Sequence, residues 1–184
     1  HLVSIVACLL AVRTHADDPA MADSARKVGV RAARWSLANQ TDNLGYHHNC
    51  TAYGILKIAR VTGDDDLRIG IEKAFRPYLL EGKSPNRDNA AKNPAHRWFG
   101  FVPLELYRQT GNRKYLERGI ELAEAQYANA DSNGMPVYTK RWYVDDIYGA
   151  TTMQSLAYAA TGREKYLNRA VMQVLNLCLI FAFV

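Results

Sequence analysis

Cysteine is scarce in this chain: 184 residues contain three, with no CxxC pair or other zinc-ligand spacing. No GxSxG elbow, phosphate-cradling glycine loop or HExxH motif occurs. Serine-hydrolase, nucleotide-hydrolase and zincin chemistries therefore find no support, and no metal or cofactor is expected. Basic residues are scattered without a Lys/Arg block, so a nucleic-acid partner is set aside. Low-complexity tracts are absent. The hydrophobic fraction of 48% and charged fraction of 22% are those of an ordinary globular protein. A net charge of +5 is a modest bias toward an acidic ligand.

No apolar run is long enough to cross a bilayer. Leu2 to Val12 is eleven residues of hydrophobic core length for a signal peptide, and Thr14-His15-Ala16 supplies small residues at a cleavage site. The expectation is a signal peptide over 1–16, a secreted or periplasmic protein, and no stable membrane insertion after cleavage. Cys8 would leave with that segment. Whether Cys50 and Cys178 pair is open, as is the oligomeric state.

What the chain does have is a repeat. Thr62-Gly63, Thr110-Gly111 and Thr161-Gly162 lie 48 and 51 residues apart. Each follows an apolar stretch and precedes an amphipathic one. Tyr115-Leu116 and Tyr166-Leu167 recur at the same offset after their glycines, followed by a small residue, Gly119 or Ala170. The pattern predicts a buried inner helix, a turn whose glycine adopts positive φ, and an outer helix. Three such hairpins are expected from about Asp23 to Ala170, within a domain over 17–184. A repeat near 50 residues suits a toroid of helical hairpins, closed by six units, so the expected fold is all-α and about half of such a ring. A complete three-hairpin bundle is the alternative. The tail Leu177 to Val184 either packs as a last helical turn or replaces the continuation of the third outer helix; truncation at both ends is the reading taken here.

The segments before the inner helices are the natural site builders. Arg141 to Tyr148 crowds a base, aromatics and two carboxylates. Trp142, Tyr143 and Tyr148 offer flat faces to sugar rings. Asp145 and Asp146 offer proton transfer, and adjacent helical residues diverge, so one of the pair faces a ligand well. An aromatic pocket raises a carboxyl's pKa, whereas a helix N-terminus lowers it; the sequence leaves the balance open. Capping of the following helix is an equally good use of either Asp. His96-Arg97-Trp98-Phe99-Gly100-Phe101 forms a second cluster, in which His96 transfers protons, binds a sugar hydroxyl, or is simply a hydrogen-bonded core residue. Tyr46-His47-His48-Asn49 forms a third. There His48 and Asn49 line a site or merely build the loop, and the two histidines are expected to diverge too far to share a metal.

The passages WFGFVPLELYRQTGNRKYLERGIELAEAQ and WYVDDIYGATTMQSLAYAATGREKYLNRA resemble glycoside hydrolase family 105, to which family 88 is related. The resemblance covers about Asn49 to Ala170. It implies an (α/α)6 barrel, no metal, and oligosaccharides ending in a 4,5-unsaturated uronic acid as substrates. It also implies an Asp that protonates the vinyl ether at C4 while water adds at C5, unlike hydrolysis by two carboxylates at the anomeric carbon. Asp145 matches the family's catalytic Asp in W-x-x-D, with Asp146 and His96 positioning it. Trp142 and Tyr143 match the aromatic flank. Trp98 and Arg141 are further sugar contacts, with His48 and Asn49 behind them. A second family Asp falls here on Ala95 or His96; Asp88 is nearby but out of register. Rivals are another (α/α)6 sugar enzyme, such as a polysaccharide lyase or epimerase, and a non-catalytic helical-repeat scaffold.

Overall fold

The computed structural model describes residues 19–39, 46–83, 100–128, 130 and 144–182, with side chains over 19–39, 47–83, 100–128, 130 and 148–176. Seven helices make up these residues: α1 (Pro19–Ala38), α2 (Tyr46–Thr62), α3 (Asp65–Leu80), α4 (Phe101–Thr110), α5 (Arg113–Ala125), α6 (Val144–Thr161) and α7 (Glu164–Ala182). The expected signal segment 1–16 lies outside the described residues. Among those described, no helix is long and apolar enough to cross a membrane.

The three predicted turns are the joints of the fold. Gly63, Gly111 and Gly162 have φ of 70°, 70° and 67°, a region in which a side chain would be strained. Each preceding threonine hydroxyl donates to the carbonyl four residues back: Thr62 to Ile58, Thr110 to Leu106 and Thr161 to Ala157, all at 2.7 Å. The next helix is then capped. Asp64 accepts from the Leu67 N–H, and Asn112 from the Lys114 N–H. Three hairpins result: α2/α3, α4/α5 and α6/α7. The first begins at Tyr46 rather than Asp23, because residues 19–38 form a separate helix. α1 lies across the first hairpin, with Gly29 against Ile58, Arg34 bonded to Asp64, and Leu37 against Gly70.

The inner row is α2, α4, α6, and α3 and α5 stand behind it. The first half of α4 is buried on every side, since Phe101 through Leu106 are all inaccessible, while Arg108 and Thr110 near its end are exposed. Val102 and Leu106 face the core shared with α2 and α3, including Leu56, Ile71 and Phe75. Phe101 and Leu104 face a second core with Met153, Leu156 and Tyr166. The layers approach closely at Gly119, where a Cβ would sit 2.6 Å from the Leu104 side chain.

Polar contacts tie successive units. Tyr115 donates to Glu72 at 2.8 Å, and Tyr166 donates to Glu124 at 2.6 Å. Each buried phenol thus reaches back to a carboxylate on the preceding outer helix. Glu105, fully buried in α4, pairs with Arg60 of α2 at 3.4 Å and with Arg108 at 3.2 Å. Gln109 donates to both Glu105 and the Leu56 carbonyl, completing a buried bridge between two inner helices. α7 runs on to Ala182, so the helix continues into the apolar tail. It leaves Leu167, Val171, Met172, Val174 and Leu175 exposed.

Burial works to raise the pKa of Glu124, but hydrogen bonds from Lys165, Tyr166 and Arg169, with the Arg169 charge, bring it down to about 2 from 4.5. A carboxylate with a depressed folded pKa stabilises above its unfolded value and loses that contribution as pH falls from 4.5 toward 2. Glu124→Gln should therefore lower stability at neutral pH and flatten its acid dependence in that window, as read by urea denaturation at several pH values. Glu105→Gln should cost about 1–2 kcal/mol by the same measurement, because it removes a buried charge from two guanidinium partners.

Candidate active site

Because each turn reverses the chain, α2, α4 and α6 all run the same way. Their N-termini meet at one end of the arc, and Tyr46, Phe101 and Val144 begin there. One aromatic from each helix meets its neighbours: Tyr53 about two turns into α2, Phe101 at the first residue of α4 and Tyr148 about one turn into α6. The Tyr53 and Phe101 rings are 5.5 Å apart, and Phe101 meets Tyr148 edge-on at 6.2 Å. Phe101 is fully buried and Tyr148 is half exposed, so the cluster has an apolar base and an accessible phenol. Burial, then the neighbouring Cys50 and Tyr53, raise the Tyr148 pKa, while a hydrogen bond with Thr152 opposes them. Tyr148 therefore stays neutral at physiological pH. Lys57 adds a cation 5.2 Å from the Tyr53 ring centre.

Asn49 is inaccessible at the start of α2, and His48 beside it is partly buried. The two histidine rings do not diverge as expected. His47 and His48 are 4.1 Å apart between centroids and tilted by 43°. Burial first, and the proximity of His47 second, lower the pKa of His48. Among the described residues, no group of three metal-ligating side chains is found.

Asp145 and Asp146 fall in the first turn of α6, in the stretch whose side chains are outside those described. Helical periodicity puts position 145 on the same face as Tyr148, one turn nearer the helix start. Asp88, His96, Trp98, Arg141, Trp142 and Tyr143 lie outside the described residues. The chain register still relates some of them to what is seen. His48 and His96 stand the same number of residues before Gly63 and Gly111, and Tyr53, Phe101 and Thr152 share another offset before the three turn glycines. The sequence placed Phe101 in the cluster His96 to Phe101 without giving it a role, and it did not single out Tyr53; the register the two share before their turn glycines was the signal that could have joined them.

The profile of Glycosyl Hydrolase Family 88 matches residues 20–178. This chain belongs to glycosyl hydrolase family 88. The match takes in all seven helices almost end to end and includes the whole inner-helix mouth. No curated protein matches the chain, and no solved structure does either. Membership makes the protein a glycoside hydrolase and agrees with an all-helical (α/α)-barrel architecture. It selects family 88, where the sequence resemblance pointed first to its relative, family 105.

The lowered His48 pKa predicts an imidazole that remains neutral down to more acidic pH than an ordinary histidine. Its ring-carbon proton resonance should titrate with a midpoint below 6.5. Substituting His47 with Gln should move that midpoint upward, because the second of its two causes is removed.

Proposed function

We propose that this family 88 hydrolase removes the 4,5-unsaturated uronic acid from the end of oligosaccharides left by polysaccharide lyases. The observation that carries the reading is the family match over residues 20–178, which takes in the first turn of α6 with Asp145 and Asp146 and the helices that carry the Tyr53, Phe101 and Tyr148 rings. Flat apolar faces next to an acidic position suit a pyranose with a planar enol ether.

In this scheme the Asp145 carboxylic acid gives its proton to C4 of the double bond. The electron pair of the C4–C5 bond forms the new C–H bond, leaving an oxocarbenium ion at C5 and the ring oxygen. Water adds at C5 and returns a proton to the Asp145 carboxylate. The hemiketal then opens to a ketone, and collapse at C1 releases the neighbouring sugar. One water is consumed and no metal takes part. Asp146 and His96 position the acid. Trp142, Tyr143, Trp98 and Arg141 hold the sugar, with Asp88, His48 and Asn49 as more distant contacts. The expected location is secreted or periplasmic, following the apolar segment Leu2 to Val12.

The reaction destroys an ultraviolet-absorbing double bond, whereas a lyase creates one. Absorbance should fall when the protein meets unsaturated pectic or glycosaminoglycan disaccharides. Asp145→Asn should slow that fall by at least about 100-fold, as expected for loss of a general acid, with an unchanged circular dichroism spectrum. Turnover at the parent rate in Asp145→Asn would overturn the assignment, and a rising absorbance would favour a lyase.

A further inference from the structure

Where α5 ends against α6, the interior carries a group of amides. Gln126 follows the last residue of α5 and is 1% exposed, and Gln154 in the middle of α6 is fully buried. The end of α5 tightens here, because the Tyr127 N–H bonds to the Glu124 carbonyl at 2.9 Å instead of reaching back to Ala123. Gln154 takes the Ala123 carbonyl in its place. Its Nε2 donates to that oxygen at 3.0 Å and to Gln126 Oε1 at 2.7 Å. These bonds fix the orientation of both amides. Turning Gln154 over would set its oxygen against two oxygens, and turning Gln126 over would set nitrogen against nitrogen.

That orientation leaves three atoms over. Gln126 Nε2, Gln154 Oε1 and Thr151 Oγ1 are closed off from solvent and have no hydrogen-bond partner among the described residues. The two amides are bonded to one another, so their spare atoms are neighbours. Thr151 stands one turn before Gln154 on the same face of α6, which brings its hydroxyl to the same polar patch. A buried polar group left unpaired costs free energy at every such atom.

We propose that an ordered water molecule is a fixed part of this interior, accepting from Gln126 Nε2 and donating to Gln154 Oε1 and Thr151 Oγ1. The chemistry of the three groups selects the ligand. An amide N–H repels a cation, and a carbonyl oxygen repels an anion. A small neutral molecule that both donates and accepts satisfies all three, and buried waters make about three such bonds. This water is a structural ligand and not the nucleophile of the proposed reaction. Position 154 lies about two and a half turns beyond position 145, so the two stand on opposite faces of α6. Its role is to fasten the middle of α6, the helix that opens with Asp145 and Asp146, to the end of α5.

The test is water-selective nuclear Overhauser spectroscopy on the isotope-labelled full chain, read at the side-chain amide protons of Gln126. The signal lost in Gln126→Leu identifies them, and the rotating-frame experiment separates proton exchange. A long-lived water gives these protons a cross-peak of the sign seen for rigid contacts within the protein, whereas surface water gives the opposite sign. The parent should show the rigid sign. Thr151→Val keeps the shape but removes one of the three partners, and should reduce the cross-peak at least about twofold. Thr151→Ser keeps the hydroxyl and should retain it. A surface-type signal at Gln126 in the folded parent overturns the proposal, as does an undiminished cross-peak in Thr151→Val. So does a crystal structure in which the spare atoms of the two amides bond directly to one another. None of these readings involves turnover, so they stand whether or not the proposed hydration chemistry does.

Discussion

The left-handed glycine that ends each inner helix is the constraint on which this architecture rests. With a threonine hydroxyl bonded back into the last turn and a glycine at φ near 70°, the chain reverses the same way three times. Reversal at fixed intervals makes the inner helices parallel. Parallel helices bring their first turns to a common end, and the aromatic cluster of Tyr53, Phe101 and Tyr148 follows from that placement. The burial of the first six residues of α4 has the same origin, because that part of the helix lies between two neighbours and an outer layer.

Burial on that scale raises the cost of any charge in the inner row, yet Glu105 sits there fully inaccessible. It is tolerated because Arg60, Arg108 and Gln109 supply donors from two helices. A buried ion pair of this kind fixes one arrangement of neighbours more than it adds to stability. Here it ties α4 to α2, the helices whose Phe101 and Tyr53 rings also meet.

Much of this was legible in the sequence for a local reason. Thr-Gly turns, their spacing and the return of apolar residues every three or four positions are properties of short segments. They identified the all-α class and the inner and outer helices, and with the PLELYRQTG and W-x-x-D-D segments they led to family 105, a relative of the family 88 that the chain belongs to. What escaped was cooperative across the chain. Glu105 in PLELYRQ looks like an ordinary exposed acid until Arg60 is brought beside it. Tyr53 and Phe101 belong to different hairpins. The expected divergence of His47 and His48 also failed, because the start of α2 holds their rings at 4.1 Å. The separate helix over 19–38 was merged with the first hairpin, since α1 carries no Thr-Gly turn to mark it off. Asp145 was singled out from its neighbours in the chain, and the fold places it by position in α6 alone.

The phenol bridges carry a direction. Tyr115 reaches back to Glu72, and Tyr166 reaches back to Glu124; in each case the acceptor belongs to the unit made earlier. During synthesis, a hairpin leaving the ribosome meets a carboxylate that its predecessor has already set in place. Assembly can then proceed vectorially, each unit templating the docking of the next, as nearest-neighbour coupling in repeat proteins allows.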